Sequence, residues 1–199
     1  MNEELGARFE HALQYAHAVH AGQTRKGGEI PYIAHLLGVA SLVIEDGGGA
    51  GQLSEDEAIA ALLHDAAEDQ GGEARLTDIR ERFGDRVADI VEACSDTFET
   101  PKPPWRERKQ AYIDHLRQET DTGVLRVSLA DKVNNAGAIL RDYRRIGDEL
   151  WSRFHPEADT EWYYRSLAVV FAQRMPGPLG DELTRLVEEL ERAIADERS

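Results

Sequence analysis

The chain has 199 residues, 41% of them hydrophobic and 31% charged; apolar residues recur in every segment, which excludes intrinsic disorder and suffices for one compact domain. With 38 acidic against 23 basic residues the net charge is −15, which disfavours nucleic-acid backbones and anionic membrane surfaces as partners. No apolar run approaches the roughly 20 residues of a membrane span, Met1–Phe9 lacks an apolar leader core, and the single Cys94 has no internal disulfide partner, so a cytoplasmic protein is expected.

The chain reads as helix after helix, with helix punctuation in place of hairpin turns. Leu5 to His20 carries Phe9, Leu13, Ala16 and Val19 at helical spacing. Pro31 opens a second helix through Ile33, Leu36, Leu37, Ala40 and Val43, expected to stop at a loop tip, Gly47-Gly48-Gly49. Ser54-Glu55-Asp56-Glu57 reads as a capping box ahead of a very apolar third helix, Ala58 to Asp69, the expected buried centre. Thr77 is expected to cap a short helix to Phe83, followed after Gly84 by another from Val87 to Cys94. Thr100-Pro101-Lys102-Pro103-Pro104 must be extended. Helices then follow over Trp105–Arg117, Val124–Tyr143 and Thr160–Arg174, and a last one places Leu183, Leu186, Val187, Leu190 and Ile194 on one stripe. The expected fold is all-α, a single domain over 1–199 of about eight to ten helices.

Chemistry concentrates in the third helix, Leu62-Leu63-His64-Asp65-Ala66-Ala67-Glu68-Asp69. Ionisable groups at a buried place are costly unless paired or bound to a metal. Glu68 and Asp69 come four residues after His64 and Asp65, one turn further along. This helix alone is equally compatible with a core histidine near a helix end that turns polar. Two other positions add to it: Asp131 in the apolar Ser128–Asn135 segment, and His35 on the apolar second helix. His35, His64, Asp65 and Asp131 make a two-histidine, two-carboxylate set that suits Mn²⁺, Fe²⁺ or Zn²⁺ with positions open for water and substrate. Arg25 and Lys26, in the polar loop Gly22–Glu29, have the chemistry to grip a highly charged ligand, though the same pair fits a solvated loop. Trp105-Arg106-Glu107-Arg108-Lys109 is a second basic cluster, compatible with substrate contact or with exposed charges at a helix start. His11, His17, His20, His115 and His155 read as surface or packing residues and Cys94 as core. No nucleophile elbow or Walker-type loop is present.

The order His35, His64-Asp65, Asp131 resembles HD-domain metal-dependent phosphohydrolases. The flanking runs Gly22-Gln23-Thr24-Arg25-Lys26, Pro31-Tyr32-Ile33-Ala34-His35, Ala61-Leu62-Leu63-His64-Asp65, Glu68-Asp69, Phe83-Gly84 and Leu129-Ala130-Asp131-Lys132 are similar, in order, to the hydrolase domain of the Rel/Spo alarmone enzymes, over about 9–143. The resemblance implies a small stand-alone alarmone hydrolase, usually Mn²⁺-dependent with one ion per chain, that removes the 3′-pyrophosphate of ppGpp or pppGpp to give GDP or GTP. It implies an HD-type domain whose core is completed by C-terminal helices over 147–197. It also implies roles: His35, His64, Asp65 and Asp131 as metal ligands, and Glu68 and Asp69 as the pair that activates the attacking water. Arg25 and Lys26 would lie beside the substrate, with Asn135 and, in a looser match, Tyr164 near the nucleotide.

Four positions depart from that pattern. Leu36 stands where proline is common, Gln70 for threonine, Asn134 for histidine or tyrosine, and Ala138 for threonine. The last two would border the nucleotide, which leaves base selectivity open. Two other readings remain: an HD phosphohydrolase acting on another phosphorylated nucleotide, such as NADPH or a nucleoside monophosphate, and a non-catalytic nucleotide sensor.

Overall fold

A computed structural model describes residues 3–97, 101–155 and 158–198. Among them the chain forms ten α-helices: α1 (Ala7–Val19), α2 (Ile33–Gly49), α3 (Glu55–Leu63), α4 (Ala66–Asp69), α5 (Gly72–Phe83), α6 (Asp85–Cys94), α7 (Trp105–Gln118), α8 (Thr122–Ile146), α9 (Thr160–Arg174) and α10 (Pro178–Glu197), with a 3-10 helix, Gly147–Arg153, after α8. The all-α expectation holds. The only β-bridge among the described residues is antiparallel, Thr24 to Pro31.

Two helices organise the rest. From Ala58 to Leu63 α3 is fully buried, packed by α1, α2, α6 and α8. The long α8 lies against α2, α6, α9 and α10, and buries Val127, Leu129, Ala130 and Leu140. Burying one such leucine or valine contributes about 1.5–3 kcal/mol, so these two helices form a rigid platform for the polar residues they carry.

Four local expectations fail for identifiable reasons. Gly47–Gly49 is the last turn of α2, not a loop tip; a Cβ at Gly47 would lie 3.2 Å from the Leu53 backbone, so glycine permits a close approach of the chain leaving the helix. The capping box does not form. The Ser54 side chain accepts no capping hydrogen bond, and Glu57 turns inward to Arg126, which also bonds Asp46 at 2.9 Å; the free amide of Glu55 goes instead to Glu3 Oε2, at 2.7 Å. Thr77 lies inside α5, its hydroxyl donating to the Glu73 carbonyl at 3.0 Å, because α5 begins five residues earlier at Gly72. The third helix is broken at His64-Asp65 into α3 and α4. Of the proline-rich loop, Thr100 lies outside the described residues, and 102–104 carry no regular structure.

Asp121 caps α8, accepting from the amides of Gly123 at 2.8 Å and Val124 at 3.4 Å while paired with Arg86. The Arg86 contact, with help from those amides, lowers its pKa. Asp121→Ala is expected to cost about 1 kcal/mol of stability, the scale of a lost cap with a largely solvent-screened ion pair. For a depressed carboxylate that contribution is present above the unfolded pKa of about 4 and lost as pH falls through the lower folded value. Denaturant midpoints of both proteins should therefore differ at pH 7 and converge at strongly acid pH.

Candidate active site

The break between α3 and α4 brings His64 and Asp65 to one point. On a continuous helix adjacent side chains diverge by about 100°; here Asp65 sits near the edge of the helical region at φ −95°, ψ −6°, and its Oδ2 lies 3.0 Å from His64 Nε2. His35, from the first turn of α2, faces the same point, with Nε2 3.4 Å from Asp65 Oδ2 and 3.3 Å from Asp131 Oδ1. Asp131 Oδ1 is 3.7 Å from His64 Nε2. All four sequence-predicted ligands therefore converge, and His35, His64 and Asp131 each place a donor atom within 4.8 Å of the others.

The donor set fits a divalent cation. Each histidine has its other nitrogen engaged: His35 Nδ1 faces Asn134 Oδ1 at 2.8 Å, and His64 Nδ1 faces the Ala61 carbonyl at 2.8 Å. With acceptors there, Nδ1 carries the proton and Nε2 presents a lone pair. Both Nε2 atoms are buried without a hydrogen-bond partner among the described residues, and each lone pair looks at carboxylate oxygens. That arrangement repels itself unless a proton or a metal cation lies between. Burial opposes charge on both histidines, but Asp131 and Asp65 outweigh it and raise both pKa values. Burial likewise opposes charge on the carboxylates, yet His64 lowers Asp65 and the Lys132 ammonium lowers Asp131.

Removing the outer partner should show this. Asn134→Ala frees His35 Nδ1, and loss of such a partner typically lowers metal affinity about 10–100-fold. Titration with Mn²⁺ or Zn²⁺ would register it as a weaker dissociation constant in a folded protein.

The other predicted residues flank the centre on two sides. A cavity of about 510 Å³ is bordered by His35 and holds Arg25, Lys26, Asn135 and Tyr164. Arg25 and Lys26 sit on the short excursion closed by the Thr24–Pro31 bridge, with Arg25 N donating to the Ile30 carbonyl at 2.8 Å. Arg25 donates to Asn135 Oδ1 at 3.0 Å, and Asn135 Nδ2 donates to Asp131 Oδ1 at 2.5 Å, so both lie beside the centre. A smaller cavity of about 170 Å³ is bordered by Asp65 and Asp131 and holds Glu68 and Asp69. Glu68 accepts from the Asp96 amide at 2.9 Å and from Lys102 at 2.8 Å. Asp69 accepts from Gln23 Nε2 at 2.8 Å; desolvation, and then the charge of Asp65, push its pKa up.

Sequence reasoning missed several neighbours. Tyr32 donates to Asp65 Oδ2 at 2.6 Å. Gln23 is held by Gln70, whose amide donates to it at 2.7 Å; helical spacing gave no sign of this, because Gln23 and Gln70 are far apart in the chain. Tyr163, beside the predicted Tyr164, lines the smaller cavity with a buried hydroxyl that has no partner among the described residues. From the basic cluster at the start of α7, Lys109 reaches the smaller cavity and bonds Asp96 at 3.1 Å, whereas Arg106 stacks on Trp162. His11, His17, His115 and His155 are exposed and His20 is buried, as read. Cys94 is half-buried at the edge of the smaller cavity, its thiol pushed up to about 11 by burial.

The HD domain family model matches residues 12–155, a span that includes every proposed ligand. The chain belongs to the HD-domain family. It is 36% identical over 154 residues to guanosine-3′,5′-bis(diphosphate) 3′-pyrophosphohydrolase MESH1 of Xenopus tropicalis, covering 76% of this chain and 78% of that one. The bifunctional (p)ppGpp synthase/hydrolase SpoT of Escherichia coli is 34% identical over 165 residues, 78% of this chain but 22% of SpoT. Among solved structures, a metazoan ortholog of SpoT described as hydrolysing ppGpp superposes with a TM-score of 0.73 over 96% of this chain and 99% of that one at 24% identity, a likeness of fold. A structure from Listeria monocytogenes superposes with a TM-score of 0.66 at 30% identity over 79% of this chain and 99% of that one. No described helix of this HD protein is long and apolar enough to cross a membrane.

Proposed function

We propose that this HD protein is a divalent-metal-dependent hydrolase, with Mn²⁺ as its ion, that removes the 3′-pyrophosphate of ppGpp and pppGpp. The observation that carries the reading is the pair of buried, unpartnered histidine Nε2 atoms facing Asp65 and Asp131 where a basic cavity and an acidic one meet. Relatives named as ppGpp 3′-pyrophosphohydrolases, at 36% and 33% identity, support the same substrate. We assign His35, His64, Asp65 and Asp131 to the metal, and extend the domain past residue 155, because α9 brings Tyr164 to the larger cavity and α10 packs along α8.

A divalent ion bound there neutralises phosphate charge and acidifies water. The chain supplies the rest. Arg25, steadied by Asn135, grips the 3′-diphosphate beside Asp131. The nucleoside lies in the larger cavity near Tyr164. Glu68 and Asp69 orient a water in the smaller cavity and take its proton. The water oxygen bonds to the proximal phosphorus, the bond from that phosphorus to the ribose 3′ oxygen breaks, and the freed oxygen receives a proton. The products are GDP or GTP and pyrophosphate. An intact carboxylate pair in the smaller cavity favours turnover over a pure sensor, which has no use for water activation.

Ala138, lining the larger cavity with Asn134, is a small residue that favours a permissive pocket, so the test is a substrate panel. Purified protein with Mn²⁺ is offered ppGpp, pppGpp, NADPH and nucleoside monophosphates. Turnover of the first two in preference to the others is expected; preference for any other substrate overturns the assignment.

A further inference from the structure

The larger cavity is lined by four cations that do different work. Arg25 is one hydrogen-bond relay from Asp131. Arg153 is bonded to Asp142 at 3.2 Å. Lys26 lies over the Phe154 ring at 5.1 Å and forms no ion pair with a described residue. Arg141 lines the same cavity, is exposed, and makes no hydrogen bond or ion pair with a described residue. The Arg25-Lys26 pair is thereby split. Arg25 turns towards the metal centre, while Lys26 turns to the side where Gly27 packs under Arg153. Gly27 has φ +74°, and a Cβ there would meet Arg153 Cδ at 2.2 Å.

Asn134, Ala138 and Arg141 recur at helical spacing and share one stripe of α8. Asn134 holds His35, so the stripe starts at the metal centre, passes a small residue and ends about 10 Å along the axis at a free guanidinium. Arg141 also borders a neighbouring groove with Gly137, where a Cβ would stand 3.2 Å from its Nη1, so the glycine leaves the guanidinium room to turn. A nucleotide with its 3′-diphosphate at the metal and its nucleoside over Ala138 would carry any 5′-phosphates towards Arg141.

We infer that Arg141, with Lys26, forms a second anion subsite that takes the 5′-phosphates of the substrate and so determines preference for nucleotides phosphorylated at both ends. The subsite rests on the reading of the site as a 3′-pyrophosphohydrolase. A guanidinium fork suits the task, since it engages two phosphate oxygens at once and stays charged.

The test compares Arg141→Met with the unchanged protein, both loaded with Mn²⁺. An exposed residue with no partner among the described residues should not affect folding, which circular dichroism would check. Turnover is measured on ppGpp and on guanosine 3′-diphosphate, which lacks 5′-phosphates, and equilibrium binding is measured with GDP and with guanosine. Loss of a charge-assisted contact should raise KM for ppGpp about tenfold or more, with kcat moved little, and exceed any loss on guanosine 3′-diphosphate about tenfold. GDP binding should weaken similarly and guanosine binding much less. Equal effects on the paired ligands, or none, overturn the subsite. If the unchanged protein fails to hydrolyse ppGpp yet GDP binding depends on Arg141, the subsite stands and the assigned activity falls.

Discussion

Asp131→Ala is expected to empty the metal centre and abolish turnover while the helical fold persists. Asp131 is buried, lies 3.3 Å and 3.7 Å from the two histidine Nε2 atoms, and brings the negative charge nearest Lys132, at 2.6 Å. The substitution removes a charged donor and leaves the Lys132 ammonium beside the ion's place without its partner. The loss in affinity should therefore exceed the roughly 10–100-fold that removal of an outer-sphere partner costs. Metal content after dialysis, measured beside turnover on the same preparation, would check it. A variant that keeps full metal and full activity would remove Asp131 from the ligand set.

Glu68→Gln should separate chemistry from binding. Glu68 lies in the smaller cavity, held by the Asp96 amide and Lys102, and is not one of the residues whose donor atoms converge with His35 and His64. Glutamine keeps its size and an acceptor oxygen but takes up no proton. Bound metal and ppGpp affinity should stay near native while kcat falls by about 10² or more, the scale of a lost general acid–base group. Asp69→Asn is the companion. Burial and the charge of Asp65 raise the pKa of Asp69, which favours proton uptake there, while the hydrogen bond from Gln23 holds the carboxylate in place; its loss should likewise lower kcat by about 10² or more. Loss of metal in either variant would instead make that residue a ligand, and near-native turnover would deny it a chemical role.

The helices and the four converging candidate ligands were legible in the sequence because apolar periodicity and buried ionisable residues are local signals. His64 and Asp65 announced themselves by polarity inside an apolar run. Their geometry did not, because no proline or glycine marks the interruption between α3 and α4. The failed cap at Ser54 has a tertiary origin: Arg126, 69 positions away, draws Glu57 into the core. Contacts such as Asn134 to His35 and Gln23 to Asp69 join residues 99 and 46 positions apart, and no spacing rule reaches that far. The 3-10 helix Gly147–Arg153 also escaped, since its seven residues carry no helical stripe long enough to register.

In the proposed reaction water attacks the proximal 3′-phosphorus and the ribose oxygen leaves. Hydrolysis of ppGpp by the Mn²⁺-loaded protein in ¹⁸O-labelled water, with products resolved by mass spectrometry, tests it most directly. GDP without label and pyrophosphate carrying one ¹⁸O are expected, with both products lost when the metal is chelated. Label in GDP, release of single phosphates, or undiminished turnover after complete metal removal would contradict it.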